Sequence, residues 1–264
     1  GVAFGYGVVF GAGRDDIVKG TTFVKLTGDA VIGNDSNTEN ITNSTVSQKH
    51  FSAITPLGRS STASYMNGAK GYYTCEIQNI EGKDYAAVAE VNGGSVDVLM
   101  AGGRSRNTKQ YPNTVSGNVQ LVLSGGTVKA IEAGSIEEKE IRIKGNVDIL
   151  IKGGTVERYI LGHYPSFGEI PDPEENITGQ CTLTFDSCGS AEAFQMSPLI
   201  QFVDSVRVTN SSKVAVVGDH YVYDYDANKQ ITDVPLWNVT DLTIDEGSTL
   251  AFEQDAEIGG DLVV

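Results

Sequence analysis

The chain is poor in the residues that staple, ligate or break a structure. Its 264 residues include three Cys, three His, three Met, one Trp and seven Pro. Three Cys (Cys75, Cys181, Cys188) are too few for a disulfide framework, and no Cys-x-x-Cys occurs. Cys181 and Cys188 are close enough in sequence to pair across a hairpin; the other reading is two buried or free thiols. With so few His, a His-based metal cluster is not expected, and no cofactor is. No apolar run approaches the ~20 residues needed to span a bilayer, and these residues read without a signal-peptide pattern. There is no G-x-S-x-G, no H-E-x-x-H and no G-x-x-x-x-G-K, so no nucleophile elbow, zincin helix or phosphate loop is encoded. Cations are scarce too. Nineteen Lys and Arg face 34 Asp and Glu, a formal charge of −15. Such a surface repels nucleic acid and anionic bilayers alike.

What the chain has is glycine, 31 residues of it, in a 40% hydrophobic background. The length allows one large or two modest domains. Aligned on its Gly pairs, the sequence repeats. Gly117-Asn118-Val119-Gln120-Leu121-Val122-Leu123-Ser124-Gly125-Gly126-Thr127-Val128 matches Gly145-Asn146-Val147-Asp148-Ile149-Leu150-Ile151-Lys152-Gly153-Gly154-Thr155-Val156. Partial copies run from Gly20 to Gly28 and from Ala87 to Gly102. Between the glycines the apolar residues alternate (Val119, Leu121, Leu123; Val147, Ile149, Ile151), which places them on one face of a strand. The glycines are then corners, where the backbone needs positive φ or a neighbour leaves no room for Cβ. A unit of about this length cannot bury its inward face alone and gains stability only by stacking. A β-sandwich with Gly-rich turns is the competing architecture.

A second repeat type follows residue 180: Leu183-Thr184-Phe185-Asp186 with Gly189-Ser190 matches Leu242-Thr243-Ile244-Asp245 with Gly247-Ser248. The expected organisation is therefore a Gly-Gly repeat β-solenoid over 1–180, interrupted by an insertion at about 34–86, and continuing coils over 181–264. Asn34–Lys49 and Gly162–Gly179 read as polar surface loops. His50–Glu81 reads as an ordered excursion with a short helix or hairpin. Both chain ends, Gly1-Val2-Ala3-Phe4 and Asp261-Leu262-Val263-Val264, are strand-like, so the sequence reads as part of a longer chain.

These units, together with Val8-Val9-Phe10-Gly11-Ala12-Gly13 and Val98-Leu99-Met100-Ala101-Gly102-Gly103, resemble the Gly-rich β-helix repeats of large surface and adhesin-like proteins of gut bacteria. The C-terminal units resemble coils of secreted adhesins and autotransporter passengers. The resemblance implies an all-β, parallel β-solenoid (a right-handed β-helix) with inserted loops, secreted or displayed at the cell surface. It is silent on activity, because solenoids carry lyases, hydrolases, adhesins and inert stalks alike.

Candidate chemistry is sparse. Asp97, Glu132, Asp148 and Glu157 fall on coil strands where carboxylates could serve a glycosidase as acid and base; the plainer reading is a solvated face. Arg104, Arg106 and Lys109 form a basic loop. His163 occupies a corner. Asp224-x-Asp226-x-Asn228 resembles the opening of a calcium loop, but Lys229 stands where that loop needs Gly and Pro235 where it needs Glu; no metal ligands are assigned. The most suggestive feature is Tyr221-Val222-Tyr223-Asp224-Tyr225. On a strand, Tyr221, Tyr223 and Tyr225 share one side and make an aromatic stripe against which a sugar ring can stack. The alternative is a hairpin arm turning at residues 226–229. The expectation is thus a non-enzymatic extracellular module, adhesin-like or stalk, whose partners are a glycan or a host surface protein. A carbohydrate-active β-helix enzyme is the alternative.

Overall fold

A computed structural model describes residues 8–12, 16–32, 52–57, 61–64, 70–73, 75–103, 113–134, 141–163, 177–189, 192–196, 199–217, 222–224, 229–231, 237–253 and 257–264. Among them there is no helix, and so none long and apolar enough to cross a membrane. The strands are β1 (Val8–Phe10), β2 (Asp16–Lys19), β3 (Thr22–Leu26), β4 (Val31–Ile32), β5 (Ala53–Thr55), β6 (Ser61–Ser64), β7 (Lys70–Tyr73) and β8 (Cys75–Gln78). Next come β9 (Ala87–Met100), β10 (Asn113–Ser116), β11 (Val119–Glu132), β12 (Ile141–Ile143), β13 (Val147–Ile151), β14 (Thr155–Leu161), β15 (Cys181–Asp186) and β16 (Phe194–Met196). The rest are β17 (Leu199–Thr209), β18 (Lys213–Val216), β19 (Val222–Asp224), β20 (Lys229–Ile231), β21 (Trp237–Ile244), β22 (Thr249–Phe252), β23 (Glu257–Ile258) and β24 (Leu262–Val263).

The expectation of an all-β, parallel protein is met. The largest sheet has 13 strands, and every pairing in it is parallel. A four-stranded sheet (β12-β10-β8-β2) and a three-stranded sheet (β16-β18-β22) are parallel as well. Among the described residues only the hairpins β6–β7 and β19–β20 are antiparallel. In the large sheet the pairings close on themselves: β11 pairs β13 and β14, β14 pairs β17, β17 pairs β15, and β15 pairs β13. Five strands can close such a ring because β11 and β17 are long and irregular in the middle. β11 shifts register about Gly125, and β17 shifts between Gln201 and Val203.

Equivalent side chains stack in columns. One column runs Val24, Ala89, Leu121, Ile149, Leu183, Val206, Leu242, Leu262. A second runs Ile54, Leu99, Ile131, Ile160, Ile200, and a third Val18, Ile77, Val115, Ile143, Ile177. The repeat residues Val119, Leu121, Leu123, Val147, Ile149 and Ile151 are all buried, at 0–1% exposure. They pair in register and parallel, which excludes an antiparallel sandwich for these segments. Each such side chain removed from water stabilises the fold by roughly 1.5–3 kcal/mol.

The corners explain the Gly-Gly and Gly-Asn signatures. Gly126 and Gly154 have φ of 76° and 86°. A Cβ on Gly126 would come within 2.6 Å of the Gly94 carbonyl oxygen, and one on Gly154 within 2.8 Å of the Gly126 oxygen. Both reasons for glycine therefore apply at once. At the other corner the Asn118 side-chain oxygen accepts the backbone N–H of Asn146, and the Asn146 side-chain oxygen accepts that of Gln180, each at 3.0 Å. Each Asn thus satisfies a backbone donor of the next copy at the turn, where no strand pairing does so.

Part of the expected insertion joins the sheets, and the cysteines take the free-thiol alternative. The stretch 34–86 supplies β5 and β8 to the parallel sheets, with the β6–β7 hairpin between them. Cys181 and Cys188 are free and buried, as is Cys75. Cys181 opens strand β15 and Cys188 lies past its end. The strand Cys181–Asp186 alone spans roughly 16 Å before the chain bends at Ser187, which keeps the two thiols apart.

Candidate functional site

Period-two alternation buries one face of each strand, yet β9, β11 and β14 are buried on both faces near their ends. Leu99, Ile131 and Ile160 point into the main core. Their neighbours Val98, Met100, Ala130, Tyr159 and Leu161 form, with Ala53, a second apolar cluster on the opposite, outward face. Its rows follow the strand register: Ala53, Val98, Ala130, Tyr159 in one, and Met100, Glu132, Leu161, Gln201 in the next. An acid therefore sits where the neighbouring strands carry Met and Leu.

Glu132 was expected to point outward into solvent. It is 3% exposed. One carboxyl oxygen accepts the Tyr159 hydroxyl at 2.8 Å, and the other is buried with no hydrogen-bond partner. Burial pushes its pKa up to about 7, and the Tyr159 hydrogen bond offsets only part of that rise. Phe202 packs against the same cluster. It is the extra residue of the β17 register shift and has φ of 59°, a costly backbone for an aromatic side chain.

An ion pair and a His–Asp hydrogen bond flank this cluster. Lys129 reaches Asp97 at 2.7 Å, and the same carboxylate accepts the backbone N–H and hydroxyl of Ser52 at 2.7 and 2.9 Å. At the other end, His163 Nε2 meets Asp204 Oδ2 at 2.5 Å. That oxygen also accepts the Cys181 backbone N–H at 2.7 Å. Burial acts to raise the Asp204 pKa, but the His163 and Cys181 hydrogen bonds outweigh it and leave it lowered. The corner His of the sequence reading is thus a hydrogen-bonded clamp between β14 and β17.

Other outward polar groups are engaged in the same way. Glu90 binds Lys25 and Ser124 on the adjacent strands, at 2.9 and 3.0 Å. Partial burial opposes its ionisation, yet these bonds hold its pKa below the ordinary value. Asp186 accepts Asn210 at 2.7 Å, which leads in lowering its pKa, and lies 3.4 Å from Lys152. Asp148 accepts the Tyr85 hydroxyl at 2.9 Å, and burial, then Asp148, pushes that phenol to about 12. Glu157 is exposed. Among the described residues, no group of three or more His, Cys, Asp or Glu could hold a metal ion.

Of the tyrosine stripe, Tyr223 lies in β19 opposite Gln230 of β20, and Asp224 pairs with Lys229, so the segment forms a hairpin arm. Tyr221 and Tyr225 lie outside the described residues, as do Asp226, Asn228, the basic loop (Arg104, Arg106, Lys109) and the polar stretches 34–49 and 164–176. Sequence reading did not find Lys129, Tyr159, Phe202 or Asp204. A signal for Glu132 did exist: it follows Gly126 by six residues, just as Met100 follows Gly94. Scans against protein-family models, curated proteins and solved structures return no match to this chain.

Proposed function

We propose that this chain is a non-enzymatic β-solenoid module of a secreted or surface-displayed protein, acting as an adhesin-like segment or stalk. Its parallel sheets are the faces of one coil. The winding is right-handed, the hand that parallel strand–connection–strand units take almost without exception. One observation carries the functional reading: among the described residues, the outward carboxylates Glu90, Asp97, Asp186 and Asp204 are each bonded to a neighbouring strand or turn. Lys25–Glu90–Ser124, Ser52–Asp97–Lys129, His163–Asp204 and Lys152–Asp186–Asn210 each tie one strand or turn to the next. Groups engaged in this way hold a stack together.

Glycans and host surface proteins are the proposed partners, with the β19–β20 hairpin as the contact and Tyr221, Tyr223 and Tyr225 as the stacking residues. An open aromatic platform gives modest affinity per site, and repetition along a longer chain compensates by avidity. The test is a glycan-array screen run with an assay for newly released reducing ends. The expected outcome is binding without cleavage, with binding weakened by Tyr223→Ala and Tyr225→Ala in correctly folded protein. Release of sugar ends would replace the module with a carbohydrate-active enzyme. Unchanged binding by both variants would remove the tyrosines from the site.

A further inference from the structure

The outward cluster places a carboxyl group among apolar side chains and provides for only one of its oxygens. Met100 and Leu161 flank Glu132 in register on β9 and β14, and Tyr159 donates to one oxygen. The other oxygen is enclosed without a donor. A neutral carboxylic acid fits this place far better than a carboxylate, whose charge would meet one hydroxyl dipole and otherwise hydrocarbon.

Few charged or titratable groups lie close to it in register on the neighbouring elements. From β9, Asp97 is engaged by Lys129 of β11 itself. From β14 come Tyr159, Arg158 and Glu157, the last exposed. Beyond β14, His163 is bound to Asp204 of β17. From β5, the Ser52–Thr55 stretch carries no charge. Among the described residues Tyr159 alone makes a hydrogen bond to Glu132, and no cation is paired with it.

We propose that the Glu132–Tyr159 pair is a proton-controlled latch on the outward face, closing the cluster while Glu132 holds its proton and loosening it when the proton leaves. On deprotonation the carboxylate finds relief by turning toward water. That movement breaks the Tyr159 bond and parts Met100 from Leu161. The sign follows from the two states. The closed state holds its proton up to about pH 7, whereas an exposed Glu releases it near the ordinary value of 4.5. Between those values the closed face binds one proton more than the open face, so closure weakens as pH rises and is constant above and below that interval.

Hydrogen exchange of the intact chain between about pH 5 and pH 8, corrected for intrinsic rates, reads the latch directly. Opening of the amides in Ala130–Ala133 and Tyr159–Leu161 should increase on the order of a hundredfold across that range, while Leu121–Leu123 stays constant. A His163→Asn background takes imidazole titration out of the reading. In that background Glu132→Gln should abolish the pH dependence. Tyr159→Phe, which removes the one bond favouring the carboxylate, should move the midpoint to higher pH. If Glu132→Gln does not fold, the ¹³C carboxyl titration of Glu132 in the parent protein decides, a midpoint near 7 being expected. A midpoint near 4.5 overturns the proposal, and so does a pH dependence of opening that persists in Glu132→Gln.

Discussion

At the level of single residues, two kinds of position govern this molecule: those where a side chain is forbidden and those where one is out of character. Gly28 and Gly126 separate the two reasons for which glycine is used. Both have positive φ, 68° and 76°. A Cβ on Gly28 meets nothing within 4 Å, whereas one on Gly126 meets the Gly94 and Gly93 backbone below 3.0 Å. Gly28→Ala should therefore cost only the left-handed backbone penalty, roughly 1–2 kcal/mol. Gly126→Ala adds a clash with backbone that cannot yield locally, bringing the total to about 3 kcal/mol or more. Equilibrium denaturation of the two variants checks the difference, and equal losses would mean that φ alone selects glycine at these corners. The double-Gly spacing made these corners legible in the sequence. The burial of Glu132 was legible only through its equivalence to Met100, because an acid on the outward side of a strand, read alone, looks solvated when the second layer of burial on that face is unknown. Phe202 was hidden for a related reason, since a bulge is set by the register of two strands and leaves no local mark.

At the level of the element, the repeat made the parallel pairing readable because it specifies register twice, through apolar alternation and through the corner residues. The Asn ladder is part of that specification. Asn146→Ala leaves the Gln180 N–H without its side-chain acceptor while keeping the strand itself intact. The expected cost is about 1 kcal/mol, as for loss of a capping side chain. Asn146→Asp, which keeps an acceptor oxygen, should recover most of it. A thermal melt of the two variants distinguishes this role from general polarity at the corner, which would leave Ala and Asp alike. Sequence reading took 34–86 for an insertion because its copy of the pattern is worn. β5 and β8 are short, and the β6–β7 hairpin separates them, so the Gly-to-Gly spacing is lost although Ala53, Ile54 and Ile77 are buried in the sheets. The β19–β20 hairpin was legible only as one of two readings, because period-two tyrosines suit a free platform and a hairpin arm equally.

At the level of the whole molecule, the question is whether the change of repeat type near residue 180 divides the chain. The pairings run across it unbroken. β13 and β15 pair at five positions, from Val147–Cys181 to Ile151–Phe185, and the Leu121 column continues through Leu183 to Leu262. In a stack of this kind each coil is stabilised chiefly by its neighbours, so an unbroken interface couples what lies on either side. The three cysteines report on this from both sides, Cys75 in β8 and Cys181 and Cys188 beyond the boundary. All three thiols are at most 1% exposed. Burial pushes the Cys181 thiol far above its ordinary range and the Cys188 thiol to about 11, where the Asp186 backbone hydrogen bond offsets only part of the rise. Cys188 further donates to the Ile151 carbonyl at 3.0 Å, across the boundary. In the native protein a thiol-specific chromogenic reagent should therefore detect none of them at mildly alkaline pH, since all three lack access and Cys181 and Cys188 also hold their protons. As denaturant is raised, all three should become reactive over one shared transition. If Cys181 and Cys188 were released at distinctly lower denaturant than Cys75, residues 181–264 would be an independently folding unit, and the register across residue 180 would be a contact between neighbours with no cooperative link.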